Sequence, residues 1–327
     1  MLSRTADHLY WMARYTERAE NTARMLEVNY HMSLMPQSEE TAQAAWQAML
    51  DVSELSEAFS QNYSSLTPNN VLSFMTVDAD NPSSIMQCLH AARENARAVR
   101  GSVTTDLWET INTTWLDAQR LVGQGALRLS PGEFFEWVKF RSHQSRGVYT
   151  GTLMRDDVFN FISLGVFLER ADNIARLLDV KFHAAQEYAG DQIDEVDEYY
   201  YWGSVLRSVS AFENYRKVYR NVIEPERVAE MLILKFNNPR SLGTCMEQVV
   251  DFLYKIRNRQ SGATEHEARS MLAELRDLEI EEIFAMDMHT FLTRFLERIN
   301  LLGISVSNHF LMPVQAADAQ EAEEGAA

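Results

Sequence analysis

Apolar residues recur along this chain at steps of three and four, and alternating β-branched runs are scarce. That period predicts helices from end to end. On the first long run, Tyr10, Arg14, Glu17, Asn21, Arg24 and His31 share one stripe, while Trp11, Met12, Tyr15, Ala19, Leu26 and Tyr30 lie on the other side. Polar residues bounded by apolar ones on both flanks predict an internal polar site, not open surface. The run is also written twice. Glu17-Arg18-Ala19-Glu20-Asn21-Thr22-Ala23-Arg24 returns 152 residues later as Glu169-Arg170-Ala171-Asp172-Asn173-Ile174-Ala175-Arg176, and His31 returns as His183. The second copy keeps an apolar face of Leu164, Phe167, Ala171, Ile174, Leu178 and Phe182. There Ile162 and Val166 replace Tyr10 and Arg14, so its upper stripe is expected to be more buried.

The helix punctuation repeats as well. Pro36, Pro68, Pro82, Pro131, Pro225, Pro239 and Pro313 fall between the periodic runs, as residues that start or stop helices do. Asn81-Pro82-Ser83-Ser84-Ile85 matches Asn238-Pro239-Arg240-Ser241-Leu242, and in both Asn is read as the N-cap with Pro at the first helical position. Pro68 and Pro225, Cys88 and Cys245, Arg100 and Arg257, and the cap positions Ser130 and Asp287 are each 157 residues apart. Trp46 and Leu50 fall 156 residues before Trp202 and Leu206. Ser130-Pro131-Gly132-Glu133 also carries a capping-box pattern. The expectation is an all-α, tandem-duplicated bundle with about six helices per repeat, related by a pseudo-two-fold axis. The first repeat spans 1–151 and the second 152–314, packed as one body, with a disordered acidic tail at 315–327.

Composition narrows the partners. The 327 residues carry a formal net charge of −17, with 46% hydrophobic and 24% charged side chains. No dense basic stripe offsets the acid, so nucleic-acid binding is not expected. The acidic run from Asp191 to Glu198 is read as capping and solvating a helix start. Two cysteines, Cys88 and Cys245, imply no disulfide framework and read as core residues. No apolar run reaches membrane-spanning length, and the N-terminus lacks a signal-peptide core, so a cytoplasmic protein is expected.

Three chemistries compete for the repeated polar helix. Glu17 with Arg24, and Glu169 with Arg176, could be buried ion pairs that fix helix register, with Asn21 and Asn173 completing their hydrogen bonds. Alternatively Arg18, Arg24, Arg170 and Arg176 present forks to a carboxylate or phosphate, held in place by the glutamates. A metal site is not expected, because no Glu-x-x-His motif accompanies the carboxylates and neighbouring arginines repel a cation.

His31 beside Glu27 and His183 beside Asp179 are His–carboxylate pairs that suit a general base or a plain surface contact. The stretch Arg141-Ser142-His143-Gln144-Ser145-Arg146-Gly147 and the following Thr152-Leu153-Met154-Arg155 have no good second copy. Asn300 and Leu302 stand in the places of His143 and Ser145. A single active site would sit where the copies diverge. There is no Walker loop, dinucleotide fingerprint or Gly-x-Ser-x-Gly motif, and no cofactor is expected.

The run from Leu9 to Arg24, the Asn-Pro-x-Ser pair, Ala91-Ala92-Arg93-Glu94-Asn95-Ala96-Arg97 and the run from Leu164 to Asp172 resemble the bacterial alpha-E family. That family is named for an all-helical domain with a Glu-Arg motif, and the resemblance covers nearly all of the chain except the acidic tail. It implies a genomic setting beside, or fused to, circularly permuted ATP-grasp ligases, often near transglutaminase-like and proteasome-like peptidases. That setting suggests ATP-dependent amide-bond formation. The family's Glu-Arg residues map onto Glu17, Arg18, Glu169 and Arg170, with Asn21, Arg24, Asn173 and Arg176 as neighbours and Arg155 as a looser match.

The expected function is therefore a helical partner of an ATP-grasp-type peptide or amide ligase. It would bind the ligase, or an anionic amino-acid or peptidyl substrate in an Arg/Glu-lined cleft between repeats. The alternatives are an enzyme acting on that ligase's substrate or product, with Glu17, Glu169, His143 or His183 as catalytic candidates, and a purely structural adaptor. A homodimer is compatible with the sequence.

Overall fold

A computed structural model of the chain describes residues 1–36, 38–188, 195–220 and 222–312. Pro313, the acidic tail at 315–327 and residues 191–194 of the acidic run lie outside them. Every regular element among the described residues is helical. The first eight are α1 (Ser3–Ser33), α2 (Glu39–Val52), α3 (Ser56–Asn62), α4 (Pro68–Thr76), α5 (Ile85–Ala98), α6 (Thr105–Gly123), α7 (Ala126–Leu129) and α8 (Pro131–Thr152). The next eight are α9 (Asp157–Tyr188), α10 (Glu195–Ser208), α11 (Phe212–Tyr219), α12 (Pro225–Ile233), α13 (Leu242–Lys255), α14 (Gly262–Asp277), α15 (Ile280–Met286) and α16 (Met288–Val306). A short π-type turn, Ser307–Leu311, closes the described chain. The described residues hold sixteen α-helices where about twelve are expected, because α3, α7, α11 and α15 span only seven, four, eight and seven residues, too short for a period to register. No helix of the described residues is long and apolar enough to cross a membrane.

Local chemistry sets the helix starts, with two departures from expectation. Ser38, Thr67, Ser84, Thr104, Ser241 and Asp287 accept hydrogen bonds from backbone N–H groups of the first turns they precede. Asn81 and Asn238 are not the caps. Their buried amides donate back to the carbonyls of Phe74 and Met231 and tie down the turn between two helices, so the helix begins three residues later, at Ile85 and Leu242. Ser130 forms no capping box; with φ −151° its side chain makes no cap bond, and α8 starts directly at Pro131.

The two longest helices form the centre. α1 packs against α9 and also touches α5, α8 and α10; α9 in turn touches α13, α16 and α2. Because neighbours surround it, α1 buries both of its faces: Glu17, Glu20, Asn21 and Arg24 are as enclosed as Leu9, Met12, Ala19 and Leu26. The close approach of α1 and α9 depends on Gly165. A Cβ there would lie 2.5 Å from the Tyr10 carbonyl oxygen and 3.2 Å from the Ala13 Cβ.

Candidate functional site

The site follows from one feature of the crossing: each helix sends its Glu to the Arg of the other. Arg170 forks onto Glu17, with Nε donating to Oε1 at 2.7 Å and Nη2 to Oε2 at 3.1 Å. Arg18 forks onto Glu169 in the same way, at 2.6 and 3.1 Å. These are the bidentate geometries that make Arg–carboxylate pairs strong and directional. Within each helix a second pair closes one turn along: Arg24 donates to Glu20 at 2.7 and 3.0 Å, and Arg176 to Asp172 at 2.9 and 3.1 Å. Each of these arginines then reaches out of its own half, Arg24 to the Ser210 hydroxyl and Arg176 to Glu54. Ser210 and Glu54 sit just past α10 and α2, and both hold positive φ, 51° and 54°.

The expected pairing of Glu17 with Arg24 and of Glu169 with Arg176 is therefore corrected. Along one helix those partners are seven residues apart, about 10 Å of rise, while the crossing brings a closer guanidinium from the other helix.

Around these pairs the surroundings differ. Glu169 takes one further guanidinium, Arg14 Nε at 2.6 Å, and Arg14 also donates to the Tyr10 hydroxyl at 2.8 Å. Glu17 and Glu20 share two more arginines. Arg146 of α8 donates to them at 2.8 and 2.6 Å, and Arg240 bonds Glu17, Glu20 and the Asn21 side-chain carbonyl. Ser142 donates to Glu20 at 2.6 Å. Burial by itself would raise these carboxyls, yet the guanidinia outweigh it. Arg14 and Arg18 hold Glu169 down to about 2, and Arg240, Arg146 and Arg24 hold Glu20 well below the usual carboxylate range. For Arg240 the balance runs the other way: burial, with Arg170 and Arg24 adding to it, brings its guanidinium down to about 10 against the pull of Glu20 and Glu17.

Other candidates fall into separate places. His143 lies at the exposed edge of the Glu20 cluster, its Nε2 3.1 Å from Arg24 Nη2 and its Nδ1 3.3 Å from Arg146 Nη1. His183 is exposed and stands fourteen residues past Glu169, about 21 Å along α9. Its ring stacks obliquely beside His289, and it is His289 that bonds Asp179, at 2.7 Å. Glu27 pairs with Lys139. Asn173 is half-buried on α9. Arg155 is exposed, donating to the Thr150 carbonyl and lying over the Phe159 ring at 3.9 Å, away from the cluster. Arg146 and Arg240 are members of the cluster that the repeat hides. Each is unique to one half, so self-comparison gives no signal for it, although Arg240 replaces a serine in an otherwise matching Asn-Pro-x-Ser turn.

The cluster encloses little space. A cavity of about 20 Å³ lies against Glu17, Ser142, Ser145, Arg146 and Tyr149, and another of about 20 Å³ against Thr16, Thr114, Arg141 and Ser142. Each is the size of a water site. Among the described residues no group of three or more His, Cys, Asp and Glu side chains is placed to hold a metal ion.

An all-helical body carrying Glu-Arg motifs is the description of one family. The chain belongs to the Alpha-E family, described as a predicted alpha-helical domain with a conserved ER motif, whose model matches residues 1–311. It is 30% identical over 117 residues to an uncharacterized protein of Mycobacterium bovis, and 30% and 29% identical over the same length to two of Mycobacterium tuberculosis. Each of these matches covers 32% of this chain and 13% of the relative, so the chain spans a small part of the length of these longer proteins. No solved structure matches.

Proposed function

We propose that this protein is a non-catalytic helical partner in an ATP-grasp-type peptide or amide ligase system. In this reading the Glu-Arg motif is the interlock between two duplicated halves, not an active site. The carrying observation is that Arg18 and Arg170, the forks expected to receive a substrate, are both occupied by carboxylates of this chain. A fork already filled by a buried glutamate has no free pair of donors to offer, and breaking it would strand a buried charge.

The pseudo-two-fold relation is part of the proposal. It is supported by the reciprocal Glu17–Arg170 and Glu169–Arg18 pairs, since an isologous contact has residue i meeting j and j meeting i. Matching helix lengths support it too: 31 and 32 residues for α1 and α9, and 14 each for α2, α10, α5 and α13. The ligase partnership rests on the family resemblance. Co-purification of tagged protein with an ATP-grasp ligase encoded beside it tests it. Full ligase turnover without this chain, together with no binding, would sink it.

A further inference from the structure

The Glu17–Glu20 cluster does not balance. Two carboxylates face four guanidinia, those of Arg24, Arg146, Arg170 and Arg240, which leaves two positive charges in excess. Three of these arginines are buried or nearly so, with side chains 7%, 7% and 10% exposed for Arg24, Arg170 and Arg240. Uncompensated charge in such surroundings is expensive, and the surplus stands out in a chain whose net charge is −17.

Hydrogen bonding shows the same shortage. Among the described residues three buried side-chain polar atoms lack a partner, and two of them, Asn21 Nδ2 and Arg146 Nε, belong to this cluster. Both are donors. What the cluster lacks is acceptors.

His143 marks where acceptors would enter. Its two ring nitrogens face guanidinium nitrogens of Arg24 and Arg146, yet a neutral imidazole has one lone pair in its plane, so one of the two contacts sets donor against donor. The ring is exposed and can swing away. An oxyanion in its place would offer lone pairs to both guanidinia and reduce the surplus charge at once.

We propose that the Arg24–Arg146–His143 edge is a binding site for a small oxyanion, a carboxylate or a phosphate group, which takes the place of the His143 ring. The site stands apart from the ligase partnership, because binding is read on this chain alone with no ligase present.

The test is calorimetric titration of the full chain with sodium acetate and sodium phosphate, against sodium chloride at equal ionic strength. One saturable site is expected for an oxyanion. Binding of acetate alone assigns the carboxylate, and binding of phosphate alone assigns the phosphoryl group. Arg146→Gln lowers the affinity at least tenfold. His143→Glu places a carboxylate over the same guanidinia from an exposed position, so it abolishes binding and raises Tm by about 2 °C or more. Saturation by chloride equal to that by either oxyanion, or no saturable heat with both, would overturn the proposal. So would a His143→Glu variant that binds as before or melts lower.

Discussion

Replacing Glu169 by Gln is the sharpest probe of the interlock. The amide keeps the shape of the side chain but removes the one negative charge that Arg14 and Arg18 share. Glu169 is 5% exposed and Arg14 15%, so water does little to replace the lost partner, whereas Arg18, at 28%, can turn partly outward. Removing one member of a buried pair costs about 3–5 kcal/mol, and the exposure of Arg18 places this case near the lower end. For a chain of this length that is a fall in Tm of roughly 5 °C. Differential scanning calorimetry would measure it, and a cycle with Arg18→Gln would separate the pair from the rest of the helix crossing. Coupling of at least ~1 kcal/mol is expected, because the double variant no longer strands the Arg18 charge. A Tm within about 1 °C of the parent, or strictly additive single effects, would refute the interlock. The companion Glu17→Gln should cost more, since Arg146, Arg170 and Arg240 would all lose their shared acceptor.

Acid should weaken the same pair: the Glu169 carboxyl is lowered from 4.5 to about 2, so its contribution is complete above about 4.5 and lost as pH falls toward 2. That contribution is roughly 3 kcal/mol, and urea unfolding of parent and Glu169→Gln across this range should converge; parallel curves would contradict it. Gly165→Ala would bring a Cβ against the Tyr10 carbonyl oxygen, which is backbone and cannot rotate away. A loss of about 1–3 kcal/mol is expected despite the better helix propensity of Ala, and a higher urea midpoint would show that the crossing is looser than described. Burial pushes the Cys88 and Cys245 thiols up to about 12, so native protein should resist a thiol-specific disulfide reagent until it is unfolded; rapid labelling of folded protein would refute their enclosure.

What the sequence determined is everything that follows from periodicity. Steps of three and four place Glu17, Asn21 and Arg24 on one stripe, and a stripe flanked by apolar residues must face other helices. Helix-local contacts were also within reach of spacing, and the i,i+4 geometry appears in Arg24–Glu20 and Arg176–Asp172. Short elements such as α7, with four residues, carry no readable period.

Only the tertiary structure decided which arginine meets which glutamate. The repeat shows two Glu-Arg pairs, but whether each pair closes on itself or exchanges with the other depends on how α1 and α9 cross. That crossing depends on the close approach of Gly165 to the Tyr10 carbonyl, a contact between residues on different helices that no spacing along either one encodes. Arg146 and Arg240 come to the cluster from α8 and from the turn before α13, contributions that no spacing along α1 encodes. The charge surplus at Glu17 and Glu20 is therefore a property of the assembled fold. Electrostatic balance is fixed by distance in space, while sequence specifies distance only along a helix.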